Sequence, residues 1–90
     1  MDQEPVKIEI DGTLDLHHFN PKEISDLIND YLDECLKKEI LTVRLIHGKG
    51  KGILKNRVHT ILKKHNNVKT YTQADVGNWG ATIVILEKTN

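Results

Sequence analysis

The stretch Leu41-Thr42-Val43-Arg44-Leu45-Ile46, followed by His47-Gly48-Lys49-Gly50-Lys51-Gly52 and then Ile53-Leu54, joins a strand-like run to the start of a helix through a glycine–lysine loop. Glycine alternating with lysine strips side-chain bulk from the backbone between His47 and Gly52. Main-chain N–H groups can then face outward where a helix dipole already favours an anion. We expect a strand over about 41–47, a phosphate-holding loop, and a helix from about Gly52 or Ile53 to Lys64. The loop is not a Walker A motif, because the Gly-Lys-Ser/Thr ending is missing and Ile53 follows.

Downstream, Leu54, Val58, Ile61 and Leu62 form the buried stripe of that helix, while Lys51, Lys55, His59 and Lys63 recur every four residues and predict a basic ridge. Upstream, Asn20-Pro21-Lys22-Glu23 has the capping Asn, first-position Pro and later Glu of a helix start. Ile24, Leu27, Ile28, Tyr31, Leu32, Cys35 and Leu36 follow at amphipathic spacing, ending near Lys37-Lys38. Before it, Asp11-Gly12 marks a turn. Thr13 to His17 alternates, with Leu14 and Leu16 on one face and Asp15 and His17 on the other. Val6 to Ile10 alternates as well, so residues 1–12 read as an N-terminal arm and residues 13–90 as the domain. Val68 to Thr72 is polar enough for an edge strand, and Ala81 to Leu86 is apolar enough for a central one. The fold class is therefore α/β (α+β): a two-layer sandwich, β-α-β-α-β-β, with a mixed four-stranded sheet. Right-handed crossovers make the first three strands parallel and put both helices on one face.

Ninety residues make one domain. No apolar run approaches the roughly 20 residues of a membrane span, and the acidic start is unlike a signal peptide. The lone Cys35 falls on an apolar stripe and reads as a buried small hydrophobe, which fits a reducing cytoplasm. Net charge is zero, yet residues 1–39 hold eleven acids against four lysines, whereas residues 40–74 hold eight basic residues and no acid. That asymmetry suits a basic surface for a polyanion, or an acidic helix that neutralises a basic one.

Loops leaving the C-terminal ends of parallel strands gather along one sheet edge, where ligands of open α/β sheets bind. His17-His18, His47 to Gly52 and Gly77 to Gly80 should meet there. Asp15 beside His17 can orient an imidazole for proton transfer, or stand as a surface Asp next to a His that caps a loop. His47 can act on a phosphate or hold its own loop in shape. His18, next to Phe19, reads as a packing residue. Trp79 can stack on a base or plug the sheet edge, and aromatics are otherwise scarce. The histidines lack the i, i+4 pairing of a zinc helix and there is no cysteine pair, so no structural metal is expected. A weakly held magnesium ion at Asp15 stays open.

Leu14-Asp15-Leu16-His17, Ile46 to Leu54, and Gly80-Ala81-Thr82-Ile83-Val84 resemble, in order and spacing, the three signature blocks of the Smr (small MutS-related) domain, over residues 13–87. The resemblance implies a fold like the C-terminal domain of translation initiation factor three. It implies a free-standing bacterial form, a monomer or weak homodimer, that binds DNA or RNA and acts as an endonuclease. The alternative is a non-catalytic binding module in repair, recombination or ribosome quality control. Asp15, His17 and His47 become the implied catalytic residues. Gly48, Lys49, Gly50, Lys51, Gly52, Lys55, Asn78, Trp79 and Gly80 become the implied nucleic-acid contacts. Two departures stand out: His18 occupies a position where many members have glycine, and the later glycine pair is split into Gly77-Asn78-Trp79-Gly80.

Overall fold

The computed structural model describes residues 10–48, 52–73 and 80–88. The elements run β1 (Thr13–Asp15), α1 (Ile24–Lys37), β2 (Thr42–Ile46), α2 (Ile53–Lys64), β3 (Val68–Gln73) and β4 (Ala81–Leu86). The sheet order is β1-β2-β4-β3. β1 pairs parallel to β2, and β4 lies antiparallel to both β2 and β3, so the first three strands share a direction. β4 is central, as its apolar run requires, and the polar β3 is an edge. Both crossovers run the same way across the sheet, which places α1 and α2 on one face. There Ile24, Ile28, Leu32, Val58 and Leu62 close a single core over Leu14, Leu16, Val43, Leu45, Val84 and Leu86. At about 1.5–3 kcal/mol for each fully buried aliphatic side chain, the stripe of α1 outweighs any propensity term in holding that helix. No described helix is long and apolar enough to cross a membrane.

Two boundaries differ from the sequence pattern. The α-helix begins at Ile24 and not at Pro21, because Asn20 spends both its groups on a preceding turn. Its side-chain oxygen accepts the Lys22 N–H at 2.9 Å, and its carbonyl accepts the Glu23 N–H at 2.8 Å. β1 ends at Asp15, although the Leu16 N–H still donates to the Ile46 carbonyl at 2.7 Å, so the alternation continues through His17.

The entry to β1 is held from the helical layer. The Tyr31 hydroxyl accepts the Gly12 N–H at 3.0 Å and donates to the Thr13 carbonyl at 3.0 Å. Gly12 sits at φ +96°, and a Cβ there would lie 3.2 Å from Ile40 and 3.3 Å from the Thr42 carbonyl, so glycine is needed for both conformation and space.

Candidate functional site

The outer part of the site is the end of β1. Leu14 and Leu16 are buried, so the period-two alternation leaves Asp15 and His17 outside, with side chains 48% and 44% exposed. One Asp15 oxygen accepts the His17 backbone N–H at 3.1 Å and also the His17 ring Nδ1. Partial burial raises the Asp15 pKa, but the hydrogen bonds and charge of His17 outweigh it and hold the carboxyl below its ordinary 3.8. A carboxylate on Nδ1 orients the ring and leaves Nε2 as the atom for a partner. His18 is exposed, not packed as the sequence suggests. Its ring lies 3.8 Å from that of His17, and Phe19 supplies the core contact instead.

Beside His17 the glycine loop begins. Gly48 sits at φ +84°, and a Cβ there would meet the His17 Cβ at 3.5 Å. That is an ordinary contact, so the backbone conformation, and not lack of space, demands glycine. The Gly80 carbonyl accepts both the His47 N–H at 2.7 Å and the Gly48 N–H at 2.8 Å. The start of β4 thus ties down the end of β2, which follows from the pairing of Ile46 with Ala81. Across the cleft, Gly52 caps α2 with no side-chain hydrogen bond, and no acid lies in the first turn. The first-turn N–H groups therefore lack intrahelical partners and favour an anion. The open cleft is about 290 Å³, bounded by His17, Phe19, His47, Gly48, Gly52 and Lys55. The Lys55 ammonium donates to Gln73 at 3.4 Å.

Behind the cleft is a second, buried set of groups. His47 is 5% exposed and Thr82 fully buried. His47 Nδ1 meets the Gly48 carbonyl at 3.1 Å and Nε2 meets the Thr82 hydroxyl at 2.9 Å. The same hydroxyl meets His59 Nε2 at 3.1 Å. Burial, with Lys55 nearby, pushes both imidazoles below their ordinary 6.5. His59 therefore does not continue a solvated ridge from Lys55 to Lys63. It turns toward the sheet, with the Tyr71 ring 4.9 Å away.

Of the residues singled out from sequence, His17, His47, Gly48, Gly52 and Lys55 share the cleft, with Asp15 on the far side of the His17 ring and Gly80 under the loop. Lys49, Gly50, Lys51, Asn78 and Trp79 lie outside the described residues. Among the described residues, no three His, Cys, Asp or Glu side chains are grouped to hold a metal ion. Sequence reasoning passed over Thr82, although a lone polar residue in the apolar run 81–86 is a signal: a buried hydroxyl needs partners. It also passed over Ile53, which is 66% exposed and lines the cleft.

Known proteins share this fold. A family model described as the Smr domain matches residues 14–87. Endonuclease MutS2 of Clostridium acetobutylicum is 35% identical over 75 residues, covering 83% of this chain and 10% of that protein. Endonuclease MutS2 of Lactococcus lactis is 31% identical over 84 residues, covering 91% and 11%. The chain thus spans about a tenth of the length of these relatives. The crystal structure of the Smr domain of Thermus thermophilus MutS2 superposes with a TM-score of 0.80 at 28% identity, covering 84% of this chain and 98% of that one. That of YdaL, a stand-alone small MutS-related protein from Escherichia coli, gives 0.79 at 26% identity, covering 86% and 65%. Fold, signature blocks and sequence identity agree, and the chain belongs to the Smr domain family.

Proposed function

We propose that this chain binds DNA or RNA and nicks the phosphodiester backbone of a structured substrate, with His17 and Asp15 as the reacting pair. The observation that carries the reading is a half-exposed imidazole, held at Nδ1 by a carboxylate, facing a helix N-terminus across a cleft of about 290 Å³. A phosphate in that cleft would set its oxygens against the first-turn N–H groups of α2 and the Lys55 ammonium, where developing charge is stabilised. His17 Nε2 would take the proton of the attacking hydroxyl or water and return it to the leaving oxygen. His47 has both ring nitrogens engaged, so in this reading it shapes the loop while His17 moves the proton. An open cleft of this size has room for a phosphate with its adjoining sugar on a strand that continues beyond it. Lys49, Lys51, Asn78 and Trp79 would extend the contact along that strand. The relatives named endonuclease support the reaction class.

A non-catalytic binding module is the second reading, favoured by one observation: the endonuclease name belongs to relatives of which this chain spans about a tenth. A cleavage assay on matched branched DNA and structured RNA, with and without magnesium, separates the two. The wild type should nick, and the Asp15→Ala/His17→Ala double variant should bind but not cut. A double variant that cuts as well as the wild type sinks the assignment. A wild type that binds in a salt-sensitive way and never cuts supports the binding module.

A further inference from the structure

We propose that His59, Thr82 and His47 form a one-directional hydrogen-bond relay that locks His47 as its neutral Nδ1–H tautomer and braces His17 through Gly48. The direction follows from the one group that cannot change roles. The Gly48 carbonyl only accepts, so His47 Nδ1 must carry the hydrogen. A neutral ring then has a lone pair at Nε2, and the Thr82 hydroxyl must donate to it. With its hydrogen committed, the Thr82 oxygen accepts from His59 Nε2–H. Every donor in the chain points the same way, toward Gly48.

The surroundings keep the relay neutral. His47 and Thr82 are nearly inaccessible to water. The charged groups acting on the imidazoles are cations, Lys55 on both and Lys63 on His59, and the Tyr71 ring of β3 covers His59. No acid occurs between residues 40 and 74 to favour an imidazolium. A second proton would also disrupt the chain: with both rings charged, the Thr82 oxygen would face two donors and its own hydrogen would have no ring acceptor. The far end of the relay reaches the cleft because Gly48 lies beside His17, near enough that a Cβ on it would come within 3.5 Å of the His17 Cβ, and both residues line the cleft. Thr82 and His59 are therefore positioning residues, and the catalytic part of the claim rests on His17 acting as proposed above.

Two-bond 1H–15N correlation spectra of the imidazoles read the tautomers directly at neutral pH. In the wild type, His47 should be protonated at Nδ1 and bare at Nε2, with His59 protonated at Nε2. Thr82→Ser should keep that signature, and Thr82→Val should release His47 to the Nε2–H form or an averaged mixture. A wild type with His47 protonated at Nε2, or an unchanged His47 spectrum in Thr82→Val, overturns the relay. If Thr82→Val does not fold, the wild-type tautomers still decide. In the nicking assay Thr82→Val should be slower, by up to roughly a hundredfold for a reacting group displaced by about an ångström, with binding unchanged and Thr82→Ser restoring the rate. A released His47 with an unchanged rate overturns the bracing of His17. The expected tautomers in a wild type that never nicks would sustain the relay and remove the cleavage reading alone.

Discussion

The chain places two histidines in one cleft under opposite conditions. His17, at the end of β1, is half exposed and paired with a carboxylate. His47, at the end of β2, is buried, bonded to a carbonyl and a hydroxyl, and biased by the nearby Lys55. Burial with both nitrogens engaged opposes a charged imidazole at His47. The ring at the surface is therefore the one open to a substrate, and the buried ring is the one that holds the loop.

Exchanging each ring for glutamine should separate the two roles most sharply. His17→Gln removes the proton acceptor and should slow nicking by roughly a hundredfold or more. As a half-exposed site it should move stability by no more than about 0.5 kcal/mol. His47→Gln should instead cost about 1–3 kcal/mol in denaturant unfolding, since Thr82 and Gly48 lose partners in a buried site. Equal stability losses in the two variants would erase the contrast.

Acid titration sharpens it next. His47 and His59 sit below 6.5 in the folded chain, so the unfolded chain takes up protons first as pH falls below that value. Stability should then decline from neutral pH downward, and His59→Gln should flatten that limb. Asp15 is held below 3.8, so its contribution is present above 3.8 and lost as pH falls through the folded value. Replacing Asp15 should flatten the pH dependence of stability only in this acid window. Thermal melts between pH 7 and pH 3 would resolve both limbs. The smallest effect belongs to Lys55: Lys55→Ala should lower the salt dependence of nucleic-acid binding by about one unit of log–log slope, with little change in fold.

Much of the fold was legible because burial imposes periodicity. The stripe from Ile24 to Leu36, the alternation from Leu14 to His17 and the apolar run in β4 each report a local geometry that neighbours along the chain already define. The helix start was misplaced because Asn20 has two ways to satisfy nearby N–H groups, and sequence does not say which wins. Asp15, His17 and the glycine loop were visible as candidates for the same reason the strands were: their spacing puts them at strand ends, on the edge where a parallel sheet collects its loops.

The sequence by itself determined the order of elements, the central strand, the acidic and basic halves, and some of the residues at the cleft, among them His17, His47 and Lys55. Only the tertiary structure decided that Thr82 lies between two imidazoles, that His59 leaves the lysine ridge, and that His47 is buried while His17 is not. Those facts depend on hydrogen bonds between residues 23 and 35 positions apart. Periodicity says which face a side chain occupies, but a buried donor chooses its acceptor only when β4 has been laid between β2 and β3.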